Sequence, residues 1–356
     1  MKRRIFTQIY AILCAVGLLA GIVAVFAFAW RAGITPTIGC LIGLFLSFLL
    51  APTFHELGHV ALACRAKMEL VYTKFFCFTI WRKGGKLRFG LASPFAADQT
   101  QMVPKSGGDM PRRAAKYTLG GLLFSIVLLV LIGVACLVVW RWEISRYFVL
   151  SILPYTAYLF LLNVLPCEYA SGKTDMAVYA GIRKQQGAEK VMLSAMEIQG
   201  RLYQGESYAE IDEELYVDLP QLCEDEPLFA VMQDLRYRYY LEKGEMEKAA
   251  DALNRLAQAQ AYLSDYETER IAAELVYMHS LLGNIEQAED SGRLCKGFLQ
   301  GDSVTAKRIL AAFSKAAGKQ DAVEPLLQQA EEAMAEERCL GVRKFERILL
   351  SRILSV

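Results

Sequence analysis

Four apolar stretches, residues 5–30, 37–63, 117–140 and 147–166, constrain this 356-residue chain more than any other feature. A bilayer's hydrocarbon core needs about 20 residues of helix to cross it. Each stretch meets that length, and backbone polar groups in lipid must be satisfied within the segment, so all four are predicted to be helices. They lack the alternation that would mark strands of a membrane barrel.

Charge divides the chain at the end of these stretches. Residues 1–184 carry 20 Lys/Arg against 7 Asp/Glu, a net charge of +13, whereas residues 185–356 carry 19 against 31, a net charge of −12. A basic, apolar half suits an anionic membrane face; an acidic, charge-rich half suits water and argues against nucleic acid as a partner. The basic residues also orient the spans. Lys2, Arg3 and Arg4 precede the first, and the segment between the second and third holds eleven Lys/Arg from Arg65 to Lys116. The opposite loops hold only Arg31, Arg141 and Arg146. The N-terminus, the long loop and the acidic half are therefore expected on the cytoplasmic side. The nine cysteines are scattered, with no Cys-x-x-Cys pair, and read as reduced.

Within the long loop, residues 70–81 and 87–95 are rich in β-branched and aromatic side chains. They flank Arg82-Lys83-Gly84-Gly85-Lys86, which predicts a short membrane-associated β-hairpin. Beyond residue 187 the apolar spacing is helical. Gly244-Glu245-Met246-Glu247-Lys248-Ala249, Gly283-Asn284-Ile285-Glu286-Gln287-Ala288 and Gly318-Lys319-Gln320-Asp321-Ala322-Val323 recur at intervals of 39 and 35 residues. Such a recurrence suggests stacked helix pairs of the tetratricopeptide kind, able to bind a cytoplasmic protein or peptide on a concave face. The expected fold is an all-α polytopic membrane domain (1–184) with four spans and the hairpin, then a soluble α-helical repeat domain (185–356).

The second span ends in Phe54-His55-Glu56-Leu57-Gly58-His59-Val60. Residues four apart share a helix face, so His55 and His59 can converge on one metal ion with Glu56 beside them as general base. The pattern fits metal-assisted hydrolysis. Two of the chain's three histidines lie in this motif, and polar groups inside a membrane span are costly unless they serve a site. His279, far off in the acidic half, reads as an ordinary helix residue. A catalytic zinc site needs a third protein ligand. Asp175 and Glu168, both after the fourth span, are the available carboxylates.

His55-Glu56-x-x-His59 in one span, followed by Asn163-x-x-Pro166 and Asp175 after a later one, resembles the site-2 protease family of intramembrane zinc metalloproteases. The resemblance covers roughly residues 37–181. It implies one Zn²⁺ held by His55, His59 and Asp175, Glu56 as catalytic base, and Asn163 and Pro166 in substrate binding. Gly120-Gly121 resembles the family's small-residue patch. Met176 stands where the family has glycine, and nine positions separate Pro166 from Asp175, which leaves room for an extra turn. The implied activity is cleavage of membrane-protein segments or remnant signal peptides near the cytoplasmic face. In some family members a membrane-associated hairpin adds the substrate as a strand. Short loops and no evident targeting peptide point to a multi-pass protein of a bacterial plasma membrane. The competing expectation is a membrane-anchored helical-repeat adaptor whose metal site is structural or lost.

Overall fold

The computed structural model describes residues 2–83, 86–93, 98–169, 172–185, 187–259 and 263–355. Helices form where the apolar runs lie: α1 (Lys2–Ala32), α2 (Ile34–Arg65), α3 (Met110–Val139) and α4 (Glu143–Val164). All four are long and apolar enough to cross a membrane. Ile9, Leu19 and Val23 on α1 and Val130, Leu137 and Val138 on α3 are among many large apolar side chains left exposed, as lipid-facing surfaces require.

Small side chains decide which helix sits at the centre. Along α2, Gly39, Gly43, Ser47, Ala51, His55 and His59 recur every four residues and are all buried. A stripe at this spacing lies on one helix face and lets neighbouring backbones approach. A side chain at Gly43 would strike the Phe148 carbonyl and the Ser151 hydroxyl of α4, and one at Gly58 would strike the Gly120 backbone of α3. α2 thus packs against both α3 and α4.

Between α2 and α3 the chain forms β1 (Met68–Phe75), β2 (Phe78–Lys83), β3 (Lys86–Leu91) and β4 (Gln99–Pro104), a sheet of order β3-β2-β1-β4. This differs from the expected two-stranded hairpin. The run expected over 70–81 turns at Phe76, which takes a left-handed φ of 53°, so Phe75 pairs with Phe78. The second expected strand becomes β3, pairing with β2 from Phe78↔Leu91 to Lys83↔Lys86. Its Gly84-Gly85 turn, and residues 94–95 of the expected strand, lie outside the described residues. β4 was not anticipated at all. After α4, β5 (Glu168–Tyr169) and β6 (Gly172–Lys173) pair antiparallel and lead into α5 (Asp175–Lys184).

The remaining elements are α6 (Ala188–Gln204), α7 (Glu214–Val217), α8 (Pro227–Lys243), α9 (Met246–Gln258), α10 (Asp265–Leu281), α11 (Ile285–Arg293), α12 (Lys296–Leu299), α13 (Val304–Ala316), α14 (Gln320–Met334) and α15 (Leu340–Ser355). The recurring glycines fall at the turns of three packed helix pairs, α8/α9, α10/α11 and α13/α14. Gly244, Gly283 and Gly318 adopt φ values of 78°, 75° and 74°, the left-handed conformation that ends a helix without a Cβ penalty. α15 packs on α6, α8 and α13.

By its internal contacts the chain divides into two units, residues 1–103 with 109–185, and residues 104–108 with 186–356. The short segment 104–108 joins the second unit because α6 grips its backbone. Glu197 accepts from the Gly108 amide at 2.8 and 2.9 Å, and Gln204 Oε1 accepts from the Gly107 amide at 2.8 Å. A side chain at Gly200 would collide with the Ser106 carbonyl, so the approach requires glycine there.

Candidate metal centre

His55 and His59 lie one turn apart on the buried face of α2, and their Nε2 atoms are 3.3 Å apart. Asp175 reaches them from another element. Thr174 caps α5: its hydroxyl donates to the Leu165 carbonyl at 2.7 Å and accepts from the Ala177 amide at 3.2 Å. That tie, with the β5/β6 ribbon before it, sets Asp175 as the first helical residue, its Oδ2 at 3.1 Å from His55 Nε2 and 3.5 Å from His59 Nε2. The ribbon also accounts for the long spacing from Pro166, since Glu168–Tyr169 and Gly172–Lys173 pair as two antiparallel strands before α5 begins.

The hydrogen bonds on the far sides of the two rings fix what faces inward. The Ser125 hydroxyl donates to the Gly121 carbonyl at 2.8 Å, so its oxygen accepts from His55 Nδ1 at 3.1 Å. The Tyr117 carbonyl can only accept, and His59 Nδ1 donates to it at 2.9 Å. With Nδ1 of each ring engaged as a donor, each imidazole in its neutral form turns an Nε2 lone pair toward the carboxylate. Among the described residues, Asp175 Oδ2 is buried without a hydrogen-bond partner. Three acceptors therefore converge with nothing to separate them, an arrangement unfavourable without a cation and suited to holding one. His55, His59 and Asp175 form a group that could hold a metal ion.

Gly121 makes room for this cluster. A Cβ there would lie 2.6 Å from His55 Cε1 and from His59 Nε2, so α3 can pass behind the rings only as glycine.

Glu56, also buried, shares a cavity of about 440 Å³ with the three groups. Asp98, Gln99 and Thr100 of the β4 region, Tyr117 and Thr118 of α3, Tyr155, Leu159 and Asn163 of α4, and Lys173 complete much of its lining. The Thr100 hydroxyl donates to Glu56 Oε2 at 2.5 Å. Asn163 thus lies with His55, Glu56, His59 and Asp175, and its Nδ2 also donates to the Leu159 carbonyl at 3.2 Å. Pro166 is exposed and not among the lining residues. Glu168 is exposed on β5, opposite Lys173, outside the metal-holding group. His279 is on α10, in the other unit.

Sequence reasoning missed Ser125, Tyr117 and Thr100. Ser125 follows Gly121 by four residues on α3, a spacing that could have placed it on the same face; Thr100 sits in a polar stretch without any signal. No family model, curated protein or solved structure matches the chain.

Proposed function

We propose that the chain is an intramembrane zinc endopeptidase of the site-2 protease type, cutting peptide bonds in or beside transmembrane segments of membrane proteins or in remnant signal peptides. The observation that carries this reading is the triangle of His55 Nε2, His59 Nε2 and Asp175 Oδ2, with edges of 3.1, 3.3 and 3.5 Å, beside a buried glutamate. Ligand bonds of 2.0–2.1 Å in tetrahedral geometry imply edges of about 3.3–3.4 Å, so the donor set fits zinc and leaves a fourth position open.

Bound there, zinc supplies Lewis acidity, polarising a carbonyl and acidifying a water at neutral pH. Glu56 takes the proton from the attacking water and hands it to the leaving amine. Ser125 and the Tyr117 carbonyl keep the imidazoles in the ligating tautomer, and the Asn163 amide presents donors to a peptide in the cavity. Helical substrates must unwind before attack, because their peptide groups are engaged in their own hydrogen bonds. An edge strand can hold them unwound. In the order β3-β2-β1-β4, β1 is interior and β4 is the edge that lines the cavity, so β4 is the strand suited to this role. The basic loops support a cytoplasmic N-terminus and helical unit, in what we read as a bacterial plasma membrane. The three glycine-turned helix pairs would then form a tetratricopeptide-like surface for a cytoplasmic partner.

The test is zinc content together with cleavage of single-span membrane substrates, on protein purified in detergent. Wild type is expected to hold one zinc and to cleave. Glu56→Gln should keep the zinc and lose cleavage by a factor of about 10²–10⁴, the usual share of general acid–base catalysis. Asp175→Asn should lose metal. A zinc-free wild type overturns the proposal and favours a membrane-anchored adaptor; cleavage untouched by Glu56→Gln overturns Glu56 as the general base.

A further inference from the structure

A general base must offer the correct oxygen to the water it deprotonates, and a buried carboxylate on a helix does not choose that oxygen unaided. Around Glu56 the sheet supplies a hydrogen bond to one of the two oxygens. Thr100 on β4 donates its only hydroxyl proton to Glu56 Oε2 at 2.5 Å. The same hydroxyl lies 2.8 Å from that of Thr73 on β1, and since Thr100 has no second proton, Thr73 is the donor of that bond. The Thr100 carbonyl accepts from the Tyr117 hydroxyl at 2.5 Å, which ties β4 to α3, the helix whose Tyr117 carbonyl also orients His59. Thr73 is buried and Thr100 lines the cavity. The chain Thr73, Thr100, Glu56 runs in one direction only, with every proton pointing toward the carboxylate.

We infer that Thr100 is a positioning residue for the proposed hydrolysis: by occupying Oε2 it fixes the rotation of the Glu56 carboxylate and leaves Oε1 as the oxygen that takes and returns the proton. Thr73 holds Thr100 in the donating orientation. This rests on the protease reading, and it gives the loop between α2 and α3 a chemical task besides holding substrate. Tyr117 is less suited to that task, since its hydroxyl is spent on a backbone carbonyl. Lys74, the nearby cation on β1, is engaged by Asp98 at 2.8 Å.

The experiment compares wild type, Thr100→Val, Thr100→Ser and Glu56→Gln, all zinc-loaded in detergent. Valine keeps the shape and β-branching and removes the hydroxyl. Its kcat should fall about tenfold to a hundredfold, as expected for losing a hydrogen bond to a charged group, with KM within about twofold and zinc content unchanged. Thr100→Ser, which retains the hydroxyl, should restore most of the rate. The infrared carboxylate band of Glu56, isolated as the wild type minus Glu56→Gln difference, should shift in Thr100→Val and return in Thr100→Ser, a readout independent of turnover. A wild-type kcat and an unmoved band in Thr100→Val, with Glu56→Gln inactive, overturns the inference and leaves the protease reading standing. Equal inactivity of wild type and Glu56→Gln overturns both. A Thr100→Ser variant as slow as valine, with zinc retained, assigns Thr100 to packing and overturns the inference alone.

Discussion

Each unit buries a cluster of charged or polar side chains, and the two clusters are built on opposite principles. In the second unit Arg308 is fully buried between Glu274 and Glu346. Its Nη2 donates to both oxygens of Glu274 at 2.8 and 3.0 Å, and its Nε donates to Glu346 Oε2 at 2.7 Å. Tyr237 donates to Glu274 Oε2 at 2.9 Å and Thr305 to Glu346 Oε1 at 2.9 Å, so all four carboxylate oxygens meet a donor. The guanidinium also lies 4.1 Å from the centre of the Tyr277 ring. The first unit's His55, His59 and Asp175 have no such complement, because three acceptors face one another. A cluster whose own protons satisfy its acceptors holds a fold together. One whose acceptors converge unsatisfied could hold a cation.

The contrast is broken or sharpened most strongly by removing the central group of each cluster. Arg308→Met leaves two buried carboxylates without their cation, and a buried pair broken on one side costs about 3–5 kcal/mol. The second unit should lose stability by that amount in chemical denaturation. An unchanged midpoint would mean that the network contributes nothing net. His55→Ala should act differently. Without metal it relieves the facing lone pairs, so chelated His55→Ala should be at least as stable as chelated wild type. Only with zinc should wild type gain, by about 2.7 kcal/mol at a free zinc concentration a hundred times Kd. A first unit equally stable with and without chelator would place its acceptors in the same class as those around Arg308.

What could be read in advance follows the range over which each feature is encoded. The four long helices are written in runs of apolar residues, and the His55/Glu56/His59 face in a spacing of four; both are local. The fourfold stripe from Gly39 to His59 is equally local, though its meaning depends on Gly120 and Gly121, some 60 residues on. β4 was invisible because Gln99-Thr100-Gln101-Met102-Val103-Pro104 neither alternates nor carries a strong strand former at its start. Its position is dictated by partners on β1 and α3. The turn at Phe76 hides inside a run that reads as one strand, since the left-handed residue is aromatic instead of glycine. Asp175 and Glu168 could be named as the carboxylates that follow the fourth span; the Thr174 cap and the β5/β6 ribbon that aim Asp175 have no periodic signature. Arg308 looks like a surface residue in sequence, because its partners are 34 and 38 positions away. The capture of residues 104–108 by α6 was likewise hidden in a stretch that reads as plain loop.

The smallest expected effect concerns pH and tests whether paired charges in the second unit act as internal ties. Asp234 accepts from Arg238 at 3.1 Å and from Arg270 at 3.0 Å, joining α8 to α10. Burial pushes its carboxyl pKa up, but the two guanidinium groups outweigh that and hold it at about 2. An ordinary aspartate titrates near 3.9, so the folded state binds this proton less readily than the unfolded chain does. The stabilisation is therefore present in full above about pH 4 and is lost as pH falls toward 2, amounting to roughly 2 kcal/mol. Glu274, held below the usual range by Arg308 and Arg238 against its own burial, adds to the loss in the same direction. Denaturation of the second unit followed from pH 6 down to 2 should show this decline, and Asp234→Asn should flatten it while lowering stability at pH 6. A decline of equal slope in Asp234→Asn would assign the acid sensitivity to other carboxylates and deny Asp234 its role as a tie between α8 and α10.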